Sequence, residues 1–89
     1  MQVAYNKNNI VLNYLNSYVK FFLKDDCLYL HNTLYNKKIT LKSSNENLKL
    51  LLTKLNQGTN YKELIKTLQK ISKNPKELYE YLLQNFIVE

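Results

Sequence analysis

Alternating apolar and polar positions fill the first half of the chain, and a spacing of three to four residues fills the second. Lys37-Lys-Ile-Thr-Leu-Lys42 places Ile39 and Leu41 on one face and Lys38, Thr40 and Lys42 on the other, the period of a half-buried strand. Cys27-Leu-Tyr-Leu-His31 divides in the same way, Leu28 and Leu30 against Cys27, Tyr29 and His31. Tyr18-Val-Lys-Phe-Phe-Leu23 is rich in the aromatic and β-branched residues that suit strands. Lys24-Asp25-Asp26 reads as a turn and Asn32–Asn36 as a loop. The pattern predicts a three-stranded antiparallel meander over residues 17–42, with one wet face.

Beyond Lys42 the pattern predicts three helices, each with its own start signal. Ser43-Ser-Asn-Glu46 reads as a capping box, in which the glutamate reaches back to the cap. Asn60-Tyr-Lys-Glu63 and Asn74-Pro-Lys-Glu77 repeat the spacing, with Pro75 at the first helical position. Gly58 sits where a left-handed C′ glycine ends the first helix. Leu48, Leu51, Leu52 and Leu55 form one core stripe, and Tyr61, Leu64, Ile65, Leu68 and Ile71 a second. The fold class is therefore α+β, winged helix-turn-helix-like, with a three-stranded antiparallel sheet followed by three helices. Residues 1–16 carry no clear period, and Ile10–Leu15 could be a strand or a short helix. Phe86-Ile-Val-Glu89 reads as an extended tail whose Phe86 and Val88 return to the sheet.

The third helix is unusually apolar. On a wheel centred on Leu82, Leu78 and Phe86 lie close by, Tyr79 and Leu83 extend one flank, and Tyr81 extends the other. The arc spans roughly 200°, about twice what one core-facing stripe needs. Half-buried tyrosines account for this if their hydroxyls stay wet. A flank that lines a groove for an apolar ligand accounts for it equally well.

Length and composition then narrow the choices. A chain of 89 residues makes one domain, residues 1–89. With one Gly and one Pro there is no linker. No apolar run approaches the ~18 residues of a membrane span, and the N-terminus lacks a signal-peptide pattern, so the expected location is cytoplasmic. One Cys cannot form an internal disulfide, and one Cys with one His cannot complete a four-ligand zinc site. Cys27 and His31 share a strand face but stand about 13 Å apart, too far for a catalytic pair. A single Gly rules out phosphate-cradling loops. Three of the seven carboxylates are committed to helix starts and two to a turn. The expectation is a protein with no catalytic residue, no metal and no cofactor. The net charge of +6 comes entirely from Lys, without Arg. This favours an acidic partner but lacks the bidentate fork that reads DNA bases.

The order of elements, together with particular segments, resembles the RiPP precursor peptide recognition element, a PqqD-like leader-peptide-binding domain. The segments are Lys38-Ile-Thr-Leu-Lys42, the leucine helix Leu48–Leu55, the capped joint Leu55–Leu64 and the closing Leu78-Tyr-Glu-Tyr-Leu-Leu-Gln-Asn-Phe-Ile87. The resemblance covers residues 18–89 and is nearer to the clamp-like domains of azole-forming and ThiF-like systems than to the quinone-cofactor type. It implies that an acidic or amphipathic precursor leader peptide adds as a strand beside Lys37–Lys42 and is presented to a peptide-modifying enzyme. The binding residues implied are Lys38, Ile39, Thr40, Leu41 and Lys42 on the strand and Tyr79, Leu82 and Leu83 on the third helix. Lys38, Lys42 and Lys76 would face acidic leader residues.

Two other readings are weighed against this one. A DNA-binding winged helix-turn-helix has the basic charge in its favour, but its reading helix would carry Glu77 and Glu80, which phosphates repel. A small adaptor or immunity-type protein differs in binding a folded partner rather than an extended peptide. Membrane and nucleic acid are not expected partners.

Overall fold

A computed structural model describes residues 11–89. Its elements run β1 (Val19–Lys24), β2 (Cys27–Asn32), β3 (Lys37–Lys42), α1 (Asn45–Gln57), α2 (Tyr61–Gln69) and α3 (Pro75–Gln84). The strands form one antiparallel sheet in the order β1-β2-β3, followed by the three helices. This is the α+β arrangement that the alternation implies. Asp25 and Asp26 have φ values of 52° and 60° and make the two-residue turn between β1 and β2. Turns of this kind twist with the strands and tolerate Asp at positive φ. Leu28, Leu30, Ile39 and Leu41 bury on the inner face, against Leu48, Leu51 and Leu55 of α1 and Leu64, Leu68 and Leu82 of α2 and α3. α1 packs on β1 and β2, while α2 lies between α1 and α3.

The helix starts hold to different degrees. Asn60 caps α2, its side chain accepting from the Glu63 N–H at 2.9 Å. The Glu63 carboxylate lies toward Lys54 and Lys66, at 3.9 and 3.7 Å. The cap of α1 is Ser44, one residue later than the spacing suggests; it accepts from the Asn47 N–H at 3.2 Å. Ser43 instead accepts from the Asn47 side chain at 3.1 Å. Asn74 caps α3 without a side-chain bond, and Pro75 opens that helix. Gly58 has positive φ (88°), but its ψ of 129° is extended rather than left-handed helical. Its need for glycine is also steric, because a Cβ there would stand 2.6 Å from the Tyr14 ring.

Tyr14 belongs to a strap that the alternation does not reveal. Residues 13–16 are neither a regular strand nor a helix. Asn13 exchanges backbone hydrogen bonds with Thr59 at 2.7 and 2.9 Å, and Tyr14 does so with Glu89 at 3.0 and 2.9 Å. The strap thus ties the α1–α2 joint to the C-terminal tail; residues 1–10, including Ile10, lie outside the described range.

The tail pairs with this strap and not with the sheet, a correction to the expected return. Ile87 and Val88 are buried, while Phe86 turns outward onto Tyr35 with ring centroids 4.5 Å apart. Phe86 leaves the helix at φ 56°. Its N–H donates to the Leu83 carbonyl and the Ile87 N–H to the Leu82 carbonyl, the paired bonds of a helix stop that usually employs glycine. Phe86 therefore drops out of the apolar arc of α3.

Candidate functional site

β3 is an edge strand, and two hydrogen bonds fix which of its backbone groups face outward. The Thr33 N–H donates to the Tyr18 carbonyl and the Ser43 N–H to the Asp26 carbonyl. Hydrogen-bonded pairs alternate along an antiparallel ladder. With the observed register, Lys37, Ile39 and Leu41 therefore bond to β2. The N–H and C=O groups of Lys38, Thr40 and Lys42 point to the open edge. No hydrogen bond from elsewhere among the described residues reaches them.

The side chains of this edge divide cleanly. Lys38, Thr40 and Lys42 are exposed on the outer face, while Ile39 and Leu41 are only 5% and 6% exposed on the inner face. The outer face is a grid read across the strands: Lys20, His31 and Lys38; Phe22, Tyr29 and Thr40; Lys24, Cys27 and Lys42. Phe22 and Tyr29 are 58% and 46% exposed, with ring centroids 6.2 Å apart. Together with Lys20, His31, Lys38 and Thr40 they border a hollow of about 300 Å³. Negative charge on the Cys27 sulfur beside Tyr29 pushes the phenol above its ordinary value of 10.0. His31 bonds the Asn36 side chain at 2.9 Å through Nε2.

α3 uses its wide apolar arc differently. Leu82 is 1% exposed and faces the core, and Leu78, Tyr79 and Leu83 pack around it. Leu82 offers a partner almost no side-chain surface, and Ile39 and Leu41 offer only a little. The Tyr79 hydroxyl donates to Asn13 Oδ1 at 3.1 Å, and its ring stands edge-on to Tyr61 at 5.0 Å. Burial is the main cause that raises the Tyr79 phenol above 10.0, followed by the nearby Glu80 charge and Tyr61. Tyr81, on the other flank, borders a shallow groove of about 490 Å³ with Glu77, Leu78 and Gln84. Lys76 borders a separate hollow with Ile65 and Gln69 of α2.

The structure therefore gathers Lys38, Ile39, Thr40, Leu41 and Lys42 on one edge strand and Tyr79, Leu82 and Leu83 on one side of α3. Of four hollows among the described residues, none borders both β3 and α3, so they give no single groove that joins the two groups. The Tyr79 flank meets the strap and the start of α2 instead. The aromatic pair of Phe22 and Tyr29 was absent from the sequence-derived site. Its signal was the same alternation, carried one strand further to Phe22.

Among the described residues no three of His, Cys, Asp or Glu converge on a possible metal position. No helix among the described residues is long and apolar enough to cross a membrane. Comparison of the chain with protein-family models, with curated proteins and with solved structures finds no match.

Proposed function

We propose that the chain is a non-catalytic peptide-binding module of the cytoplasm that takes up an extended segment as a fourth strand beside β3. The ligand is the leader region of a ribosomally synthesised precursor peptide, which the module holds for a peptide-modifying enzyme. The reading rests on one observation: the outward N–H and C=O groups of Lys38, Thr40 and Lys42, which lack a partner among the described residues. Such a ladder supplies affinity through the main chain, and the flanking side chains select the sequence. The lysines at the rim steer an acidic ligand inward and speed its association.

Thr40→Pro tests this directly. The N–H of residue 40 faces the open edge, so proline there removes no bond of the sheet. The expected outcome is an intact fold by circular dichroism and a loss of leader-peptide affinity of about tenfold or more, one decade being ~1.4 kcal/mol. A folded variant that binds the leader as the parent does would sink the reading. The leader to use is that of a precursor gene beside the one for this chain.

A further inference from the structure

We propose that the segment received at β3 carries a five-residue pattern: acid, apolar, neutral, apolar, acid. This rests on strand addition at β3 and deepens it by naming what the edge selects. Side chains on neighbouring strands line up in rows across a sheet, and those rows interact. On the outer face the first and third rows end at the edge in Lys38 and Lys42, and the row between them ends in Thr40. All three terminal residues are exposed. The first row holds Lys20, His31 and Lys38; the third holds Lys24, Cys27 and Lys42. No carboxylate occupies any of the nine positions of the grid. Asp25 and Asp26 lie at the turn, beyond its last row.

A fourth strand extends each row by one residue. Opposite Lys38 and Lys42 the complement is a carboxylate. Opposite Thr40, whose row continues into Tyr29 and Phe22, it is a β-branched or aromatic residue. The two residues between these point to the inner face. There they extend the rows Phe21–Leu30–Ile39 and Leu23–Leu28–Leu41, which are apolar throughout and call for apolar neighbours. The pattern reads the same in both directions, so it holds for a parallel or an antiparallel strand.

Three synthetic peptides with identical flanks test it by calorimetry at low salt. Their cores are Glu-Val-Thr-Leu-Glu, its isomer Val-Glu-Thr-Glu-Leu, and Lys-Val-Thr-Leu-Lys. The parent protein is expected to bind the first at least about tenfold more tightly than either of the others, since several cross-strand pairs change at once. The double variant Lys38→Glu with Lys42→Glu is expected to reverse the preference in favour of the lysine peptide. Equal binding of the two isomers would overturn the pattern, because net charge alone would then decide. So would failure of the first peptide to bind, or tighter binding of an oligothymidylate than of any peptide. Thr40→Pro separates the two levels. If it binds the first peptide as the parent does, strand addition itself is wrong. If it loses binding while the isomers stay equal in the parent, the edge stands and the pattern falls.

Discussion

Asn32 has no exposed surface, and both polar atoms of its side chain are hydrogen-bonded. Its Nδ2 donates to the Phe86 carbonyl at 2.7 Å, and its Oδ1 accepts from the Leu34 and Tyr35 N–H groups at 2.9 and 3.0 Å. One amide thus holds the β2–β3 loop to the end of α3. Removing a buried partner leaves the other groups unpaired. Asn32→Ala should therefore cost about 2–3 kcal/mol, measured by urea unfolding. Tyr79 offers a pH test. Its phenol titrates above 10.0 in the folded chain, mainly through burial. A group raised in the folded state adds stability that is complete below its unfolded value and is lost as pH rises through the folded one. The parent should exceed Tyr79→Phe by about 1 kcal/mol at neutral pH, the worth of the hydroxyl's bond to Asn13. That gap should narrow as pH rises above 10.0. A constant gap in alkaline unfolding curves would count against this account.

At the scale of elements, Gly58 joins backbone and packing at the end of α1. Its φ of 88° disfavours any side chain, and the Tyr14 ring occupies the place of a Cβ. Gly58→Ala should lower stability by more than about 1 kcal/mol. Adding Tyr14→Ala should restore the steric share and leave the backbone share, a non-additivity that a double-mutant cycle reads. On α3, Leu82→Ala should cost about 2–5 kcal/mol as a buried leucine. Tyr81→Asp, on the exposed flank, should stay within about 0.5 kcal/mol of the parent. β3 was legible because Lys38–Lys42 alternates without a break. The cap of α1 was not, because the spacing to Glu46 singles out Ser43, whereas the Asn47 N–H donates to Ser44 and only the Asn47 side chain reaches Ser43. The stop after α3 left no trace in the pattern, since Phe86 stands where a glycine would have marked it. The site was half legible for the same reason. Alternation assigns Lys38, Thr40 and Lys42 to one face, but the arc of α3 cannot say that Tyr79 belongs to Asn13 and Tyr61.

For the whole molecule, the contacts that close the fold join distant parts of the chain. The strap at residues 13–16 meets Thr59 and the tail through backbone atoms, which no side-chain pattern encodes, and so it was invisible in the sequence. Removing residues 87–89 exposes the sites of Ile87 and Val88 and frees the strap from its partners. Each buried aliphatic side chain contributes about 1.5–3 kcal/mol, a large part of what a domain this small possesses. The truncated chain should lose its cooperative thermal transition.

The lysines of β3 also govern how copies of the protein treat one another. Two copies meeting edge to edge about a twofold axis at Thr40 would set Lys38 of each against Lys42 of the other. Like charges placed directly opposite are destabilising, and lysine on an open edge is a known guard against such pairing. The lysines proposed to draw in an acidic strand thereby disfavour pairing with an identical edge. Replacing both lysines by threonine should remove that penalty, and sedimentation at rising concentration should then detect dimers that the parent does not form.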